Sequence, residues 1–412
     1  MNVIHVGKSD TRTAAPFAPR TIASPLKPID FTARAAQVAA IAARHADEVD
    51  RDARFPAEAI AALREAHLLG MAIPRELGGD GASIHEVMEV CYALGRACSA
   101  TAMIFAMHQV KIGCIVRHGR GQQWLDAMMR RIADEQLLMG SSTTEGNNGG
   151  NVRSSAAAAE ISDGRFTLLR DASVISYGAE CDGIVTTARR AVDAATSDQV
   201  LVVLRKEDYK LEITQGWDTL GMRGTRSTGF KLEASGVPEQ ILPESYDRIH
   251  SQTMVPYAHL CWGSAWAGIA ASAVDRAQMF LRKVARNANG QMPPGARHFS
   301  LAKDSLGRAR ALLTTTAHYF TRIASDAQAL SSLEFQSAIA TLKIDVSELA
   351  VEAVMSAMRA NGLSGYRNDG EFSIARQLRD ILSAPVMIHN DRIFADVSTA
   401  NLMAANAPTL RA

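Results

Sequence analysis

The sequence lacks the features that mark several common classes of protein. It has only five cysteines, an odd number with no C-x-x-C pair. That count argues against a disulfide framework and a structural zinc site, and it favours reduced thiols in a cytoplasmic protein. No uninterrupted apolar run reaches the roughly 18 residues that a membrane span needs. We therefore expect no metal site and no membrane insertion.

An excess of charge of either sign is also missing. The 44 basic and 43 acidic residues leave a formal net charge of +1, which argues against a nucleic-acid partner. The sequence contains no GxGxxG loop, Walker loop, HExxH pair or GxSxG elbow. Any nucleotide-like cofactor must therefore be held by a fold that does not use these motifs.

What is present falls into blocks of different character. Residues 1–30 are rich in proline and basic residues and are predicted to be a disordered tail, with a transit peptide as the alternative. Residues 31–136 read as a helical domain, 137–247 as a β domain and 248–412 as a second helical domain. Helices, strands and helices in this order predict an α+β fold, not a Rossmann alternation.

Short runs of strand-forming residues define the middle block. They occur at 164–169, 183–187, 199–204, 211–214 and 229–232, with turn residues between them. This spacing predicts a compact β-barrel-like domain. In the last block, apolar residues at helical spacing cover 262–283, 302–326, 333–361 and 372–384. Each of these runs is long enough to form one member of a helix bundle.

Three polar segments interrupt these patterns, and each also has an ordinary structural explanation. Ser141-Ser-Thr-Thr-Glu-Gly-Asn-Asn-Gly-Gly-Asn151 could bring backbone amides close to a cofactor or form a surface loop. Val174-Ile-Ser-Tyr-Gly178 could meet a flat ring or form a β-turn. Asn361-Gly-Leu-Ser-Gly-Tyr366 could end a helix, and Arg379-Asp380 could be an ion pair between helices.

Taken together with Pro74-Arg-Glu-Leu-Gly-Gly79, these segments resemble the acyl-CoA dehydrogenase superfamily over about residues 31 to 405. The resemblance implies an N-terminal helical domain, a middle β domain and a C-terminal four-helix bundle. It also implies FAD bound without a Rossmann motif, and a homotetramer.

The resemblance further implies which residues form the site. Cofactor contacts are expected from Thr143, Thr144, Ile175, Ser176, Asn361, Ser364, Gly365 and Asn390. Substrate contacts are expected from Gly149, Gly150 and Met387.

The sequence departs from the family where the chemistry should be. Desaturation of an acyl thioester at Cα–Cβ needs a positioned base, usually a buried glutamate whose pKa desolvation raises. Ile388 stands at that position here, and Tyr257-Ala-His-Leu260, the family's other place for the base, has no carboxylate. The candidate replacements are His389, Asp391, His259 and His108, although a single histidine is more often a structural residue. The pyrophosphate motif Arg-x-Phe-Gly is not evident in Arg286-Asn-Ala-Asn-Gly290.

Three functions fit this pattern. The interpretation we favour is an FAD-dependent dehydrogenase of an acyl thioester, on coenzyme A or a carrier protein. Its electrons would pass to an electron-transfer flavoprotein or to O2. The alternative is a flavin-dependent monooxygenase on the same fold, a branch of the family that lacks the glutamate and takes reduced flavin from a reductase. The third is a flavoprotein that has lost its activity.

Overall fold

The computed structural model describes residues 29–146, 151–287, 291 and 293–403. The chain begins with a helical layer, α1 (Phe31–Arg51), α2 (Ala57–Glu65), α3 (Ile84–Ala97), α4 (Ser99–Gly119) and α5 (Gln123–Glu135). A capping box starts α3, because the Ser83 hydroxyl accepts from the Glu86 amide and the Glu86 carboxylate accepts from the Ser83 amide. Cys98 is extended and separates α3 from α4.

Seven strands follow in two small sheets. They are β1 (Met139–Ser142), β2 (Glu160–Ser162), β3 (Arg165–Ile175), β4 (Gly183–Arg189), β5 (Gln199–Arg205), β6 (Tyr209–Gln215) and β7 (Thr228–Gly236). One sheet has the order β1-β4-β5, in which β1 runs parallel to β4, and the other has the order β2-β3-β7-β6. Residues of β3 alternate between buried and exposed, as expected for a strand with one face in the core.

The rest of the described chain is helical. Its elements are α6 (Tyr246–Ile249), a π-helical turn (His250–Met254), α7 (Val255–Asn287), α8 (Ala296–Ile323), α9 (Ala327–Leu330), α10 (Leu333–Asn361), α11 (Leu363–Tyr366), α12 (Ala375–Ile381), α13 (Ser383–Val386) and α14 (Asn390–Met403). The π-helical turn runs directly into α7 and inserts one extra residue in the turn, a geometry that is rare and often found at functional sites.

Two glycines allow α3 and α7 to cross at backbone contact. A Cβ atom on Gly95 would lie 2.3 Å from the carbonyl oxygen of Ala265, and one on Gly268 would lie 2.3 Å from that of Tyr92. No other residue fits such a crossing without moving a helix. This contact fixes the N-terminal helices against the bundle.

The predicted α+β fold is confirmed, with its helical first and last blocks and its small sheets. All five predicted strands are present. The strands β1 and β2 were not predicted, because Met-Gly-Ser-Ser has no strand-forming residue and Glu-Ile-Ser is too short to show an alternation.

One helix, α4, is long and apolar enough to cross a membrane by length and composition alone. In the structure, 89% of its most apolar window is buried inside the protein. Its apolar character therefore has a sufficient explanation in the packing of the core.

Candidate functional site

The ends of β1 and β3 lie side by side and carry a group of hydroxyls. The Ser173 hydroxyl donates to the Thr144 hydroxyl at 3.2 Å, and Glu145 pairs with Ala172 as an isolated antiparallel bridge. Thr143, Thr144 and Ser173 are half-buried, as is Ser176 two residues beyond the exposed Val174. We call Thr143, Thr144, Ser173, Val174 and Ser176 the hydroxyl surface. It brings together two segments that are about 30 residues apart in the sequence.

A chain of hydrogen bonds fixes the Ser176 side of this surface. Its hydroxyl lies 2.8 Å from that of Ser227, which lies 2.8 Å from the Thr225 hydroxyl. Thr225 donates to the carbonyl of Met222, and the Met222 amide donates to the Asp380 carboxylate at 2.7 Å. Burial raises the pKa of Asp380. The surface is thereby tied to α12 through its own side chains.

The two residues Arg379 and Asp380 hold different elements. Arg379 donates to the carboxylate of Asp50 on α1, whereas Asp380 accepts from the 221–228 turn. A Cβ on Gly221 would lie 2.1 Å from the Arg379 carbonyl oxygen, so this turn packs on the backbone of α12. Arg379 therefore links α12 to α1, and Asp380 links α12 to the 221–228 turn. The two side chains do not form an ion pair with each other.

Glu145, next to Thr144, is committed to the scaffold. Its carboxylate lies 3.1 Å from the Arg170 guanidinium and accepts from the Ser155 hydroxyl and the Ala156 and Ala157 amides. Arg170 is fully buried, and its Nε and Nη2 atoms have no hydrogen-bond partner among the described residues. The pair holds residues 155–157 in place beside β3.

His108 is a core residue, which corrects its prediction as a catalytic base. Its Nδ1 accepts from the Met139 amide at 3.0 Å, so Nε2 carries the proton and donates to the Leu69 carbonyl at 2.8 Å. Burial lowers the pKa of His108 to about 4. One nitrogen joins α4 to β1 and the other joins it to the segment that follows α2, which leaves none to accept a substrate proton.

His259 is also buried, on the first turns of α7. Its Nδ1 donates to the Ile339 carbonyl on α10 at 2.8 Å, which leaves the lone pair of the neutral ring on Nε2. Burial lowers the pKa of His259 to about 4. A base with this pKa is weak, and its ring is fixed by the contact with α10.

The position that usually carries the base lies between α13 and α14. Ile388 is 41% exposed and has a left-handed backbone with φ of 50°. His389 and Asp391 are exposed, and Met387 is half-buried. Neither His389 nor Asp391 is enclosed by the described residues of the chain. Their assignment as catalytic residues stays a prediction.

Asn390 has a structural role that differs from its predicted contact with the cofactor. Its side chain is buried; the oxygen accepts from Lys343 at 2.6 Å, and the amide donates to Ser347 and Glu348. Every polar atom of the Asn390 side chain is thus used within α10 and α14. The side chain fastens α14 to α10 and has no group left for a flavin.

Three other predicted cofactor residues, Asn361, Ser364 and Gly365, lie at the turn between α10 and α11. Asn361 is buried, donates to the Phe372 carbonyl at 3.0 Å and keeps its side-chain oxygen without a partner among the described residues. Gly365 accepts from the Ile374 amide, and Ser364 is half-buried. Ile175 is fully buried beneath the hydroxyl surface. Gly149 and Gly150, the predicted substrate residues, lie outside the described residues.

Some features of the structure lie away from this surface. A cleft of about 670 Å³ opens beside β3, β6 and β7, lined among others by Leu168, Asp208, Tyr209 and Lys210. It contains none of the hydroxyl surface. Among the residues that the structure describes, no group of three or more His, Cys, Asp or Glu side chains could hold a metal ion.

Buried basic residues are what the sequence analysis missed. Lys111 and Lys343 are both buried inside helices, and burial lowers the pKa of each to about 8. The sequence does contain a sign of this burial, because Lys111 stands between Val110 and Ile112 in an apolar helical run.

Family comparisons agree with this architecture. The family model of the acyl-CoA dehydrogenase N-terminal domain matches residues 30–135, and that of the C-terminal domain matches residues 252–388. Together they cover more than half of the chain. The chain belongs to the acyl-CoA dehydrogenase superfamily. Its two matched regions are the two helical blocks on either side of the sheets.

Individual relatives carry different names. Probable acyl-CoA dehydrogenase FadE25 of Mycobacterium tuberculosis is 25% identical over 341 residues, which are 82% of this chain and 85% of that protein. The 3-sulfinopropanoyl-CoA desulfinase of Paraburkholderia xenovorans is 37% identical over 82 residues, 20% of this chain and 21% of that protein. The second match thus spans about a fifth of the relative.

Solved structures share the fold over nearly the whole chain. FMN-bound TdsC, a dibenzothiophene monooxygenase from a Paenibacillus species, has a TM-score of 0.80 and 18% identity, covering 93% of this chain and 100% of its own. Methanesulfinate monooxygenase MsuC from Pseudomonas fluorescens has a TM-score of 0.78 and 18% identity, with coverage of 93% and 100%. Butyryl-CoA dehydrogenase from Megasphaera elsdenii has a TM-score of 0.73 and 16% identity, with coverage of 92% and 100%. At these identities the likeness concerns the fold alone.

Proposed function

We propose that this superfamily flavoprotein is a flavin-dependent monooxygenase, which inserts one atom of O2 into a small organic substrate. The observation that carries the proposal is the residue at the usual base position. Ile388 offers no proton acceptor there, and the buried histidines His108 and His259 are held by backbone groups. Oxygen insertion does not require removal of an acidic α-proton, so it is compatible with an apolar residue at this place.

The carboxylates around the hydroxyl surface do not replace the missing base. In the described part of the chain, Glu145 is paired with Arg170, Glu180 with Arg226, and Asp380 accepts from the Met222 amide. Each of them holds a loop or a turn in place. Using one for proton abstraction would require breaking a contact that maintains the site.

The hydroxyl surface fits a flat heteroaromatic ring system. Hydroxyls from Thr144 and Ser176 approach from two segments, and the exposed Val174 offers an apolar contact between them. The Thr144 hydroxyl accepts from Ser173 and keeps its own proton, so it can donate to a ring nitrogen or carbonyl oxygen. Because Thr225 donates to the Met222 carbonyl, the Ser176–Ser227–Thr225 chain uses the Ser176 proton, and the Ser176 oxygen is oriented to accept from a ring N–H. A bound reduced flavin would supply the two electrons with which one oxygen atom enters the substrate and the other leaves as water.

The choice between FMN and FAD depends on the residues that would hold the adenine nucleotide half of FAD. The Arg-x-Phe-Gly motif of the family is not evident at Arg286, and Asn390 is occupied by Lys343 and α10. Both observations favour FMN, with the FAD of the sequence prediction as the alternative. The fold shared with TdsC, whose structure is described as FMN-bound, is consistent with this choice.

Oxygen incorporation tests the proposal. The purified chain would be supplied with FMN, a flavin reductase and isotopically labelled oxygen gas, with small thioethers, sulfinates and aromatic heterocycles as substrates. We expect at least one product that is heavier by one labelled oxygen atom and that does not form without the protein. Flavin oxidation that yields only hydrogen peroxide with every substrate would count against the proposal.

Acyl thioester dehydrogenation is the second candidate, and a specific comparison favours it. The match to FadE25, named as a probable dehydrogenase, extends over 82% of this chain. In this case His389 or Asp391 would act as the base once a substrate covered them. Anaerobic mixing with acyl thioesters would then bleach the flavin, and no bleaching is the result that excludes this candidate.

A further inference from the structure

A cluster of one half-buried and three buried residues lies where α4 meets the π-helical turn. We call Lys111, Tyr246, His250 and Met254 the Lys111 cluster. The Lys111 ammonium is 3.5 Å from the Met254 sulfur, and the Tyr246 hydroxyl is 3.4 Å from the same sulfur. The rings of Tyr246 and His250 are 5.5 Å apart. Residues from α4, α6 and the π-helical turn therefore converge on one place.

The Lys111 ammonium has an unusually poor set of partners. Only 4% of the residue is exposed, and in the described residues no carboxylate lies within ion-pair distance of it. Burial lowers the pKa of Lys111 to about 8, so most of the side chains still carry a proton at neutral pH. A thioether is a weak acceptor, and a buried charge is costly unless it is paired. The cluster therefore has no negative charge to pair with the Lys111 ammonium.

His250 adds a second unpartnered group. Its Nδ1 is buried and has no hydrogen-bond partner among the described residues. Burial, followed by the nearby basic residues Arg153, His259 and Lys111, lowers the pKa of His250 to about 3. The ring is presented by a π-helical turn, which changes the direction of side chains compared with a regular helix.

The Lys111 cluster adjoins the proposed flavin site. Lys111 is one helical turn from His108, which binds the first residue of β1, and β1 leads directly to Thr143 and Thr144. On the other side, the charge of Arg170 acts on the Tyr246 phenol, and Arg170 is paired with Glu145. Two paths of neighbouring residues therefore link the cluster to the hydroxyl surface, one through His108 and β1 and one through Arg170 and Glu145.

We propose that the Lys111 cluster binds the oxyanion of an organic acid, and that this acid is the substrate. Lys111 would pair with the anion, while His250 Nδ1 and the Tyr246 hydroxyl would supply further hydrogen bonds. The carboxylate and the sulfinate share the chemistry that the cluster recognises. The claim that the acid is the substrate rests on the proposed function. The claim that the cluster binds an anion does not.

Calorimetric titration of the FMN-loaded full chain tests the anion site without turnover. The ligands are propionate, propanesulfinate and the neutral isostere propionamide. We expect at least one of the two anions to bind about tenfold or more tightly than the amide, because a charge-assisted hydrogen bond is stronger than a neutral one. The tighter of the two anions identifies the class of acid. Equal binding of anion and amide, or equally strong competition by chloride, would overturn the proposal.

Two variants assign the effect to this cluster. Lys111→Met should abolish the preference for the anion, whereas Lys303→Met, at an exposed position on α8, should preserve it. Lys111→Met should also raise the melting temperature of the unliganded protein, because it removes a buried unpaired charge. A lower melting temperature would identify Lys111 as a structural residue and contradict the proposal. The second variant within the cluster is His250→Gln. We expect it to lose less affinity for the anion than Lys111→Met does.

The outcome separates the two proposals. Anion binding that depends on Lys111 in a protein that oxygenates nothing would uphold the site and reject the monooxygenase function. Oxygenation of neutral substrates alone, unaffected by Lys111→Met, would uphold the function and reject the site.

Discussion

At the scale of single residues, Ile388 combines an unexpected side chain with an unexpected backbone. Its φ of 50° lies in the left-handed region, which β-branched residues rarely adopt. Its neighbours Val386 and His389 are exposed, so packing does not force this conformation. Backbone strain of this kind is typical of functional sites. The turn therefore keeps a shape that presents residue 388, although the side chain has no acid–base chemistry.

Restoring the carboxylate tests the role of this position. We expect Ile388→Glu to gain reduction of its flavin by an acyl thioester under anaerobic conditions, because a carboxylate would then face the α-proton. The measurement is the loss of flavin absorbance after mixing. Ile388→Gln, with the same shape and no base, is the matched control and should show none. Equal bleaching in wild type and both variants would show that the base lies elsewhere.

His108 makes a prediction about pH and stability. Burial lowers its pKa to about 4 in the folded chain, below the value of about 6.5 for an unfolded histidine. Below pH 6.5 the unfolded chain gains a proton that the folded chain does not, so stability is lost as the pH falls towards 4. The loss from this residue is roughly 3 kcal/mol. Urea unfolding across this pH range should show a shallower slope for His108→Gln than for wild type.

A matched control uses a histidine on the surface. His67 is exposed, so His67→Gln removes a histidine without breaking a buried contact and serves as the control variant. An unchanged slope in His108→Gln would mean that His108 takes up its proton over the same pH range in the folded and unfolded chains, and would contradict the lowered pKa.

At the scale of elements, the crossing of α3 and α7 should be intolerant of a single methyl group. Gly268→Ala would place a Cβ 2.3 Å from the Tyr92 carbonyl oxygen and 3.0 Å from the Gly95 Cα, so the helices must separate. We expect a loss of about 1–3 kcal/mol in the free energy of unfolding.

Gly307 on α8 is the control for this variant, because nothing lies within 4 Å of a Cβ placed there. Gly307→Ala should stabilise the protein by about 0.4–1 kcal/mol through helix propensity and unfolded-state entropy. The denaturant midpoints of Gly268→Ala and Gly307→Ala, compared with that of the wild type, measure these two changes in stability. Similar effects of the two substitutions would contradict the close crossing.

The sequence predicted the helices and strands better than it predicted the side-chain contacts between them. The bounds of α10 match the predicted range 333–361, because the apolar period of a long helix is a strong signal. The adjacency of Thr144 and Ser176 followed only from family resemblance, and the bond from Ser173 to Thr144 required coordinates. Lys111 and Asn390 depend on which helices pack together, which a local pattern does not contain.

At the scale of the whole molecule, the short helices near the C-terminus expose apolar side chains. Leu363 and Tyr366 on α11 are 73% and 72% exposed, and Val386 and Phe394 are also exposed. Apolar surface of this kind marks protein interfaces. We therefore propose that the protein is a homo-oligomer, as the family resemblance implies.

Sedimentation of the wild type at micromolar concentration should give a mass that is a multiple of the monomer. The double substitution Tyr366→Asp and Phe394→Asp should shift it towards the monomer. Ile213→Asp, at an exposed apolar position on β6, should not. A wild type that sediments as a monomer would contradict the proposal.

Binding of flavin at the hydroxyl surface is the claim on which the rest depends, and a titration of the purified chain with FMN and FAD tests it most directly. The quenching of flavin fluorescence should give tight binding of FMN, and Thr144→Val and Ser176→Ala should each weaken it about three- to tenfold through the loss of one hydrogen bond. Thr167→Val, at an exposed hydroxyl on β3, should leave the affinity unchanged. A wild-type chain that binds neither flavin, or variants at Thr144 and Ser176 that bind as tightly as wild type, would contradict the account.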